Sequence, residues 1–296
     1  MGVSPLKPAP FSYHAPTGID EALDTLAEHG DAAKIIAGGQ SLIPMLALRL
    51  TAFEHLVDIG RIADLKQIAT TADFLRIGAG VTEAAVGASP EVARATPLLS
   101  RATPLIGYFQ IRNRGTLGGS IAHADPAAEY ATVALTLDAQ IEIRSASGTR
   151  TSPAEEFFTG FWTTCLEPEE AVVAVRFPIW GGRSGFAIEE FASRHRDFAL
   201  AGATAAVTVD DAGRVTRCAI GLLSLGPTPL RASAAEKQVL GSVAGEIDAE
   251  ELGRLAVADL DGILDDDHGP AEYRRRVGAA MVARAWTSAI SEASNA

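Results

Sequence analysis

The stretch IIAGGQSLIPML, residues 35–46, changes chemical character three times, and its reading decides the fold. Ile35 and Ile36 end an apolar run that predicts a buried strand. Gly38 and Gly39 form a turn without side chains, and Ser41 caps a helix from Leu42, with Pro44 tolerated in the first turn. A strand, a nest of backbone amides and a helix N-terminus in that order hold an anion without any lysine. A second stretch, RGTLGGSIAHADPAAEY at 114–130, repeats the design, with Gly118 and Gly119 preceding Ser120. The pair predicts two anionic groups held side by side, the two halves of a pyrophosphate. Neither loop has the three spaced glycines of the mononucleotide fingerprint or the lysine of a P-loop. In a chain with 28 glycines either loop alone is an ordinary turn, so the inference rests on the pair and its neighbours.

At 296 residues the chain is long for one domain and can bury a large core. A net charge of −12 and a pI near 5.0 argue against a nucleic-acid groove. Arg274, Arg275 and Arg276 form the one basic run. Two cysteines, Cys165 and Cys218, make no disulfide scaffold and cannot hold a cluster, so any iron–sulfur centre must come from a partner chain. The start MGVSPLKPAPFSYH lacks a basic-then-apolar leader, and no run of 18 apolar residues occurs. The expectation is a cytoplasmic protein with no direct membrane insertion, peripheral to an inner membrane face only through partners.

Along the chain, Pro5, Pro8 and Pro10 predict an extended arm over 1–16, and Thr17 with Asp20 predicts a capping box for a helix over 18–29. With HLVDIG at 55–60 as a further strand, residues 1–60 form a βαβ-like block. A second subdomain, 61–178, contains a strand at 74–80, a helix capped by Thr82, and proline-started helices near 90–95 and 104–112. It continues with a buried helix from Glu129 and the strictly alternating strand QIEIRS. PAEEFFTG then reads as a short helix with proline at N1, and EAVVAVRFP closes the unit as a strand. Gly181, Gly182, Ser184 and Gly185 mark a linker, so the domains are placed at 1–178 and 179–296. The second contains a strand, a hairpin turning at Asp210 to Gly213, and helices near 232–240, 248–258 and 271–292. Tyr273, Val277 and Met281 are the expected apolar seam of the last helix, with the arginine run on its polar side.

Among residues that carry chemistry, His123, Asp125 and Glu129 offer one imidazole only, which predicts no metal site, and Asp125 before Pro126 reads as a helix N-cap. The six histidines occur singly and no GxSxG is present, so neither a hydrolase nor a catalytic side chain is signposted. SRHRDFALAG gathers Arg194, His195, Arg196 and Asp197 before an apolar run. It reads either as a solvated face or as a cleft rim where Asp197 accepts hydrogen bonds from a polar heterocycle.

AGGQSLIPML, TLGGSIAHADPAAE, and RHRDFALAGATAAV followed by GPTPLRA together resemble the flavoprotein (medium) subunits of the molybdenum hydroxylases. That family includes carbon monoxide dehydrogenase, nicotine dehydrogenase and the flavin domain of xanthine dehydrogenase. The resemblance covers roughly residues 8–290 and implies an α+β fold. Its parts are a two-subdomain FAD-binding domain of the vanillyl-alcohol oxidase/MurB-like type and a small sheet-and-helix C-terminal domain. It implies noncovalent FAD, its pyrophosphate clamped by the backbone of Ala37, Gly38, Gly39, Gln40, Ser41 and Leu42 and of Thr116, Gly118, Gly119 and Ser120. By the same resemblance Asp125 touches the ribityl or adenosine part, Ile59 lies beside the flavin, and Leu166 meets the adenine. Asp197 lies near the isoalloxazine, and Phe186 stands where carbon monoxide dehydrogenase stacks a tyrosine on the ring. Two departures are Arg196, where the family often has glycine, and the absence of the cysteine-rich insertion of the benzoyl-coenzyme-A reductase relatives.

The implied role is electron outlet of a heterotrimeric hydroxylase, arranged as a dimer of heterotrimers. The molybdenum cofactor lies on a large subunit and two [2Fe-2S] clusters on a small one. FAD suits that position because it takes electrons singly and delivers pairs. One alternative is a self-contained FAD oxidoreductase acting on a small molecule; another is a scaffold that has lost its flavin.

Overall fold

The computed structural model describes residues 7–194 and 196–296, so His195 and the first six residues of the expected N-terminal arm lie outside the described residues. Among the described residues three larger sheets succeed one another along the chain, with one further two-stranded pair. In the first, β1 (Ser12–His14), α1 (Ile19–His29), β2 (Ala33–Ile36), α2 (Leu42–Ala47) and β3 (His55–Asp58) give an all-parallel sheet with β3 central. Part of the expected arm is thus an edge strand. The α1 cap differs from the sequence reading. Gly18 occupies the N-cap position and the Glu21 carboxylate accepts from the Thr17 N–H at 3.2 Å, because the acid one residue later is the one in reach.

The middle unit opens with β4 (Ile68–Thr70) and β5 (Phe74–Gly78). It continues through α3 (Glu83–Ala88), α4 (Pro90–Ala95), α5 (Pro97–Ala102), α6 (Phe109–Arg112), α7 (Leu117–His123) and α8 (Glu129–Thr136). Next come β6 (Gln140–Ser145), β7 (Gly148–Pro153), α9 (Ala154–Phe157), the short pair β8 (Phe158–Gly160) and β9 (Thr163–Thr164), and β10 (Ala171–Pro178). The five-stranded order is β4-β5-β10-β6-β7, every pair antiparallel. Thr82 caps α3 as expected, its hydroxyl accepting from the Ala85 N–H. The second proline-started helix begins at Pro97, not Pro104, and Pro153 is the last residue of β7 and the N-cap of α9 rather than its first turn.

The third unit is a four-stranded antiparallel sheet of β11 (Arg183–Phe191), β12 (Ala201–Val209), β13 (Val215–Leu223) and β14 (Leu230–Arg231), followed by α10 (Ser233–Val239), α11 (Ala249–Val257) and α12 (Ala271–Asn295). Its sequence is rich in alanine and glycine because helices lie against both faces. On one face α8 packs on β13, where a side chain at Gly221 would run into Thr132 and Thr136, and the Thr136 hydroxyl meets that of Thr204 at 2.6 Å. On the other, α12 packs so tightly that a Cβ at Gly185 would meet the backbone of Ala289. The buried seam of α12 runs through Arg274, Gly278, Met281, Val282, Ala285, Trp286 and Ala289, one residue round from the expected line. Arg274 is therefore buried rather than on a polar side. Its guanidinium donates to the Leu200 carbonyl at 2.8 Å and pairs with Asp266. Among the described residues no helix is long and apolar enough to cross a membrane.

Candidate functional site

The two glycine loops, separated by some 75 residues of sequence, are in direct contact. A Cβ at Gly38 would run into the Arg114 carbonyl, one at Gly119 would lie 3.4 Å from the Cβ of Ala37, and one at Gly118 would strike Ala79. Only glycine permits this approach, and Gly39, at φ 73°, occupies the left-handed region that glycine tolerates. A cleft of about 380 Å³ opens on the first loop, lined by Tyr13, Ile36, Gly38, Gly39, Gln40, Ile43, Pro44, Asp58 and Arg114. The Tyr13 hydroxyl donates to the Asp58 carboxylate, and that bond raises the phenol pKa above its ordinary value.

The loops differ in what they offer a ligand. In the first, Ser41 sits at the N-cap position without a capping bond, being itself helical (φ −97°, ψ −47°). The Gly39 and Ser41 carbonyls accept from Ile43 and Met45, and the amides that open such a turn have no partner within the helix. In the second, the N–H of Leu117 donates to Val81, that of Gly118 to Ala79, that of Gly119 to the Thr116 hydroxyl, and that of Ser120 to the Thr116 carbonyl. These four amides are engaged because the loop is laced to the segment after β5. The second loop therefore presents the Ser120 hydroxyl and a side-chain-free surface, not an amide nest.

α7 runs from this contact to a second cleft. Its 7 residues span about 10 Å and are followed by the C-cap Ala124, held at φ 53°. Asp125 follows, but it does not cap α8, whose N-cap position is Ala128. Pro126 and Ala127 intervene, so the Asp125 carboxylate instead accepts from the Ala127 N–H at 2.9 Å and from the Trp162 indole at 3.2 Å. The cleft there, about 320 Å³, is lined by Asp125, Pro126, Ala127, Phe161, Trp162, Ser224 and Leu264, and so lies between the middle unit and the third. The Ser224 hydroxyl donates to Ala199 at 2.6 Å, which ties this wall to the 196–198 segment. There Asp197 and Phe198 are exposed, Phe198 by 75%, and Arg196, at φ 72°, lies over the Tyr108 ring.

Three expected residues are not among those that line the two clefts. The Ile59 side chain is buried in the core of the first unit while its neighbour Asp58 takes the cleft wall. Leu166 is half-buried against the core of the middle unit. Phe186 is only 6% exposed, edge-on to Trp180 with centroids 5.9 Å apart, and its N–H donates to Glu292. The strand alternation explains this: Phe186, Ile188 and Glu190 share one face of β11, and Phe186 occupies the end covered by core.

Not foreseen from the sequence is a group of carboxyls under these loops. The Glu83 side chain is 5% exposed, adjoins Gly115, and leaves Oε2 without a hydrogen-bond partner. Burial raises its pKa to about 7, against a smaller lowering by Arg112. Burial also raises Glu190 to about 7 and Glu129 to about 8, the latter helped by Glu190, Glu83 and Asp125. Widely spaced acids bear no local signature; only the glutamate in DPAAE stood in a motif. An orphaned carboxyl oxygen beside a glycine cradle suits a ligand that carries both an anion and N–H or O–H groups, as FAD does.

The comparisons with known proteins agree with this architecture. Residues 9–180 match the family model described as the FAD binding domain in molybdopterin dehydrogenase, and 186–289 match the CO dehydrogenase flavoprotein C-terminal domain. The chain belongs to the FAD-binding medium subunits of the molybdenum hydroxylases. This medium subunit is 39% identical to the 6-hydroxypseudooxynicotine dehydrogenase complex subunit alpha of Paenarthrobacter nicotinovorans, with 97% of each chain covered. It is 36% identical to the carbon monoxide dehydrogenase medium chain of Hydrogenophaga pseudoflava, over 95% of this chain and 98% of that one. Among solved structures, carbon monoxide dehydrogenase from Hydrogenophaga pseudoflava superposes with a TM-score of 0.93 over 96% of this chain and 99% of that one, at 36% identity. Quinoline 2-oxidoreductase from Pseudomonas putida 86 gives 0.91 at 35% identity, over 97% and 99%. The α+β fold and the expected family are thereby established, and the subunit is a component of an oxidoreductase complex.

Proposed function

We propose that the subunit binds one noncovalent FAD across the two clefts and serves as the electron outlet of a molybdenum hydroxylase. The observation that carries this reading is the contact between the two glycine loops, so close that a Cβ at Gly38 would overlap the Arg114 carbonyl. The pyrophosphate lies on the amides of Gly39 to Leu42, with Arg114 as counter-charge and Ser120 closing the far side. Asp125 holds a hydroxyl-bearing part of the cofactor near the end of α7, Leu166 lies towards its adenine, and Asp197 with the exposed Phe198 faces the ring system. Burial raises Glu129 to about 8 and Glu190 to about 7, so their protonated forms are accessible near neutral pH and can donate to carbonyl oxygens or hold a proton beside the ring. Bound there, FAD supplies one- and two-electron redox chemistry.

The electrons come from partners, a small subunit with two [2Fe-2S] clusters and a large subunit with the molybdenum cofactor, assembled as a dimer of heterotrimers in the cytoplasm. Cys165, in the bend after β9, and Cys218, in β13, are free thiols, so two cysteines of this chain supply no thiolate cluster site. Ile43, Leu48 and Leu50 are 44%, 58% and 71% exposed beside the first loop, an apolar flank that suits the iron–sulfur partner. The test is isolation of the native complex with subunit identification and assay of flavin, iron and molybdenum. One FAD per medium subunit with both metals on companion chains is expected. A free flavoprotein that turns over a small molecule at full rate without partners would overturn the assignment.

A further inference from the structure

The six histidines are single in the sequence, yet three of them meet at the edge of the first sheet. His14 ends β1, His29 ends α1 and His55 begins β3. Parallel pairing of β1 with β3 sets Ser12 opposite His55 and so brings the ring of His14, two residues on and on the same strand face, towards that of His55. Nε2 of His14 and Nδ1 of His55 are 3.0 Å apart. The His29 ring lies on that of His55 with centroids 3.6 Å apart and planes inclined by 9°. One nitrogen from each ring falls within 4.8 Å of the other two, and all three side chains are half-buried.

Three imidazoles, each with a nitrogen within reach of one ion, make a metal-ligand set. Neutral imidazole is the form that binds metals. A bond between two ring nitrogens spends one lone pair on a proton that a metal cation can replace. We propose that His14, His29 and His55 form a zinc site with water as the fourth ligand. Zn–N bonds of about 2.0–2.1 Å in a tetrahedron set the nitrogens roughly 3.3 Å apart. The His14–His55 pair is already near that spacing, and His29 reaches it by turning its ring off the stack, at a helix end where Gly30 has φ 48°. The ion would clip a three-residue edge strand to α1 and β3, one residue from Tyr13 on the wall of the first cleft.

The site is tested on the untagged full chain, loaded with FAD and stripped with a chelator, by calorimetric titration with zinc and by the visible spectrum with Co²⁺ in its place. One zinc per chain is expected, with intense tetrahedral Co²⁺ bands and a Tm raised by zinc. His14→Asn, His29→Asn and His55→Asn should each weaken zinc binding by about tenfold or more, whereas exposed His268→Asn should not. Wild-type binding no tighter than that of the triple variant, or a weak octahedral Co²⁺ spectrum, would refute the proposal. If a variant fails to fold, the wild-type Co²⁺ spectrum decides alone. FAD content, measured alongside, reports separately on the flavin site.

Discussion

At Gly38 a single methyl group would run into the Arg114 carbonyl, so Gly38→Ala must part the two glycine loops. We expect the variant to lose FAD affinity by tenfold or more, read from retained flavin absorbance after gel filtration. The third unit, which has a hydrophobic core of its own, should keep its fold. Unchanged affinity would mean that the loops do not hold the cofactor together. Glu83 makes a pH prediction. Burial raises its folded pKa from 4.5 to about 7, so the folded state holds the proton more tightly than the unfolded chain. The stability this contributes is complete below about pH 4.5 and is lost as pH rises through about 7. Glu83→Gln, which keeps the neutral shape, should therefore stabilise the FAD-free chain at pH 8 by on the order of 1–2 kcal/mol. The two urea midpoints should converge near pH 5; a variant less stable at pH 8 would contradict this account.

Between elements, close packing replaces the large apolar side chains that a sheet usually presents. β11 approaches α12 only because residue 185 has no side chain, since a Cβ there would overlap the Ala289 carbonyl and crowd the Ala293 N–H. Gly185→Leu should cost more than about 3 kcal/mol, beyond ordinary overpacking because backbone rather than a flexible side chain must yield. Circular dichroism melts would show it as a lowered Tm, and a melt like that of the wild type would mean that α12 is free to move. The turn that follows α2 offers the opposite case, since its leucines are exposed. Leu48→Asp and Leu50→Glu lie in that turn, outside the residues that line the cleft. They should leave FAD content unchanged and reduce recovery of the iron–sulfur subunit on co-purification by tenfold or more. Full recovery would place the partner elsewhere.

For the whole molecule, the arrangement of three sheets explains why the site sits where it does. The first sheet supplies one glycine loop and the middle unit the other. The third unit closes the second cleft through Ser224 and Leu264. Contacts such as Arg101 with Glu292, 2.6 Å apart, and the Arg231–Asp138 pair at 2.8 Å join the third unit to the middle one. A cofactor lying across both clefts touches all three units, so FAD should raise the Tm of the chain, by mass action on the folded state. A scanning-calorimetry trace unchanged by saturating FAD would deny that arrangement.

What the sequence determined by itself was whatever depends on neighbours along the chain. The first glycine pair before its helix, the alternation of QIEIRS, the hairpin at Asp210 to Gly213 and the family motifs are local patterns, and each marked its element or its family. Gly118 and Gly119, by contrast, lie within the first turn of α7 rather than before it. What the tertiary structure decided depends on which local pattern meets which. The amides of Leu117 to Ser120 are consumed by residues 79 and 81 and by Thr116, a fact of strand and loop pairing that no glycine count carries. The acids Glu83, Glu129 and Glu190 acquire raised pKa values from shared burial. The seam of α12 turned by one residue because Arg274 found the Leu200 carbonyl and Asp266 in the core, which made a buried arginine tolerable. Asp125 is not a cap because α8 begins only at Glu129, and its carboxylate also accepts from the indole of Trp162, 37 residues on. His14, His29 and His55 form a cluster only because parallel pairing lays β1 along β3, with the end of α1 beside them. Side-chain chemistry is written residue by residue, but hydrogen-bond partners, dielectric and ligand geometry are properties of the packed neighbourhood.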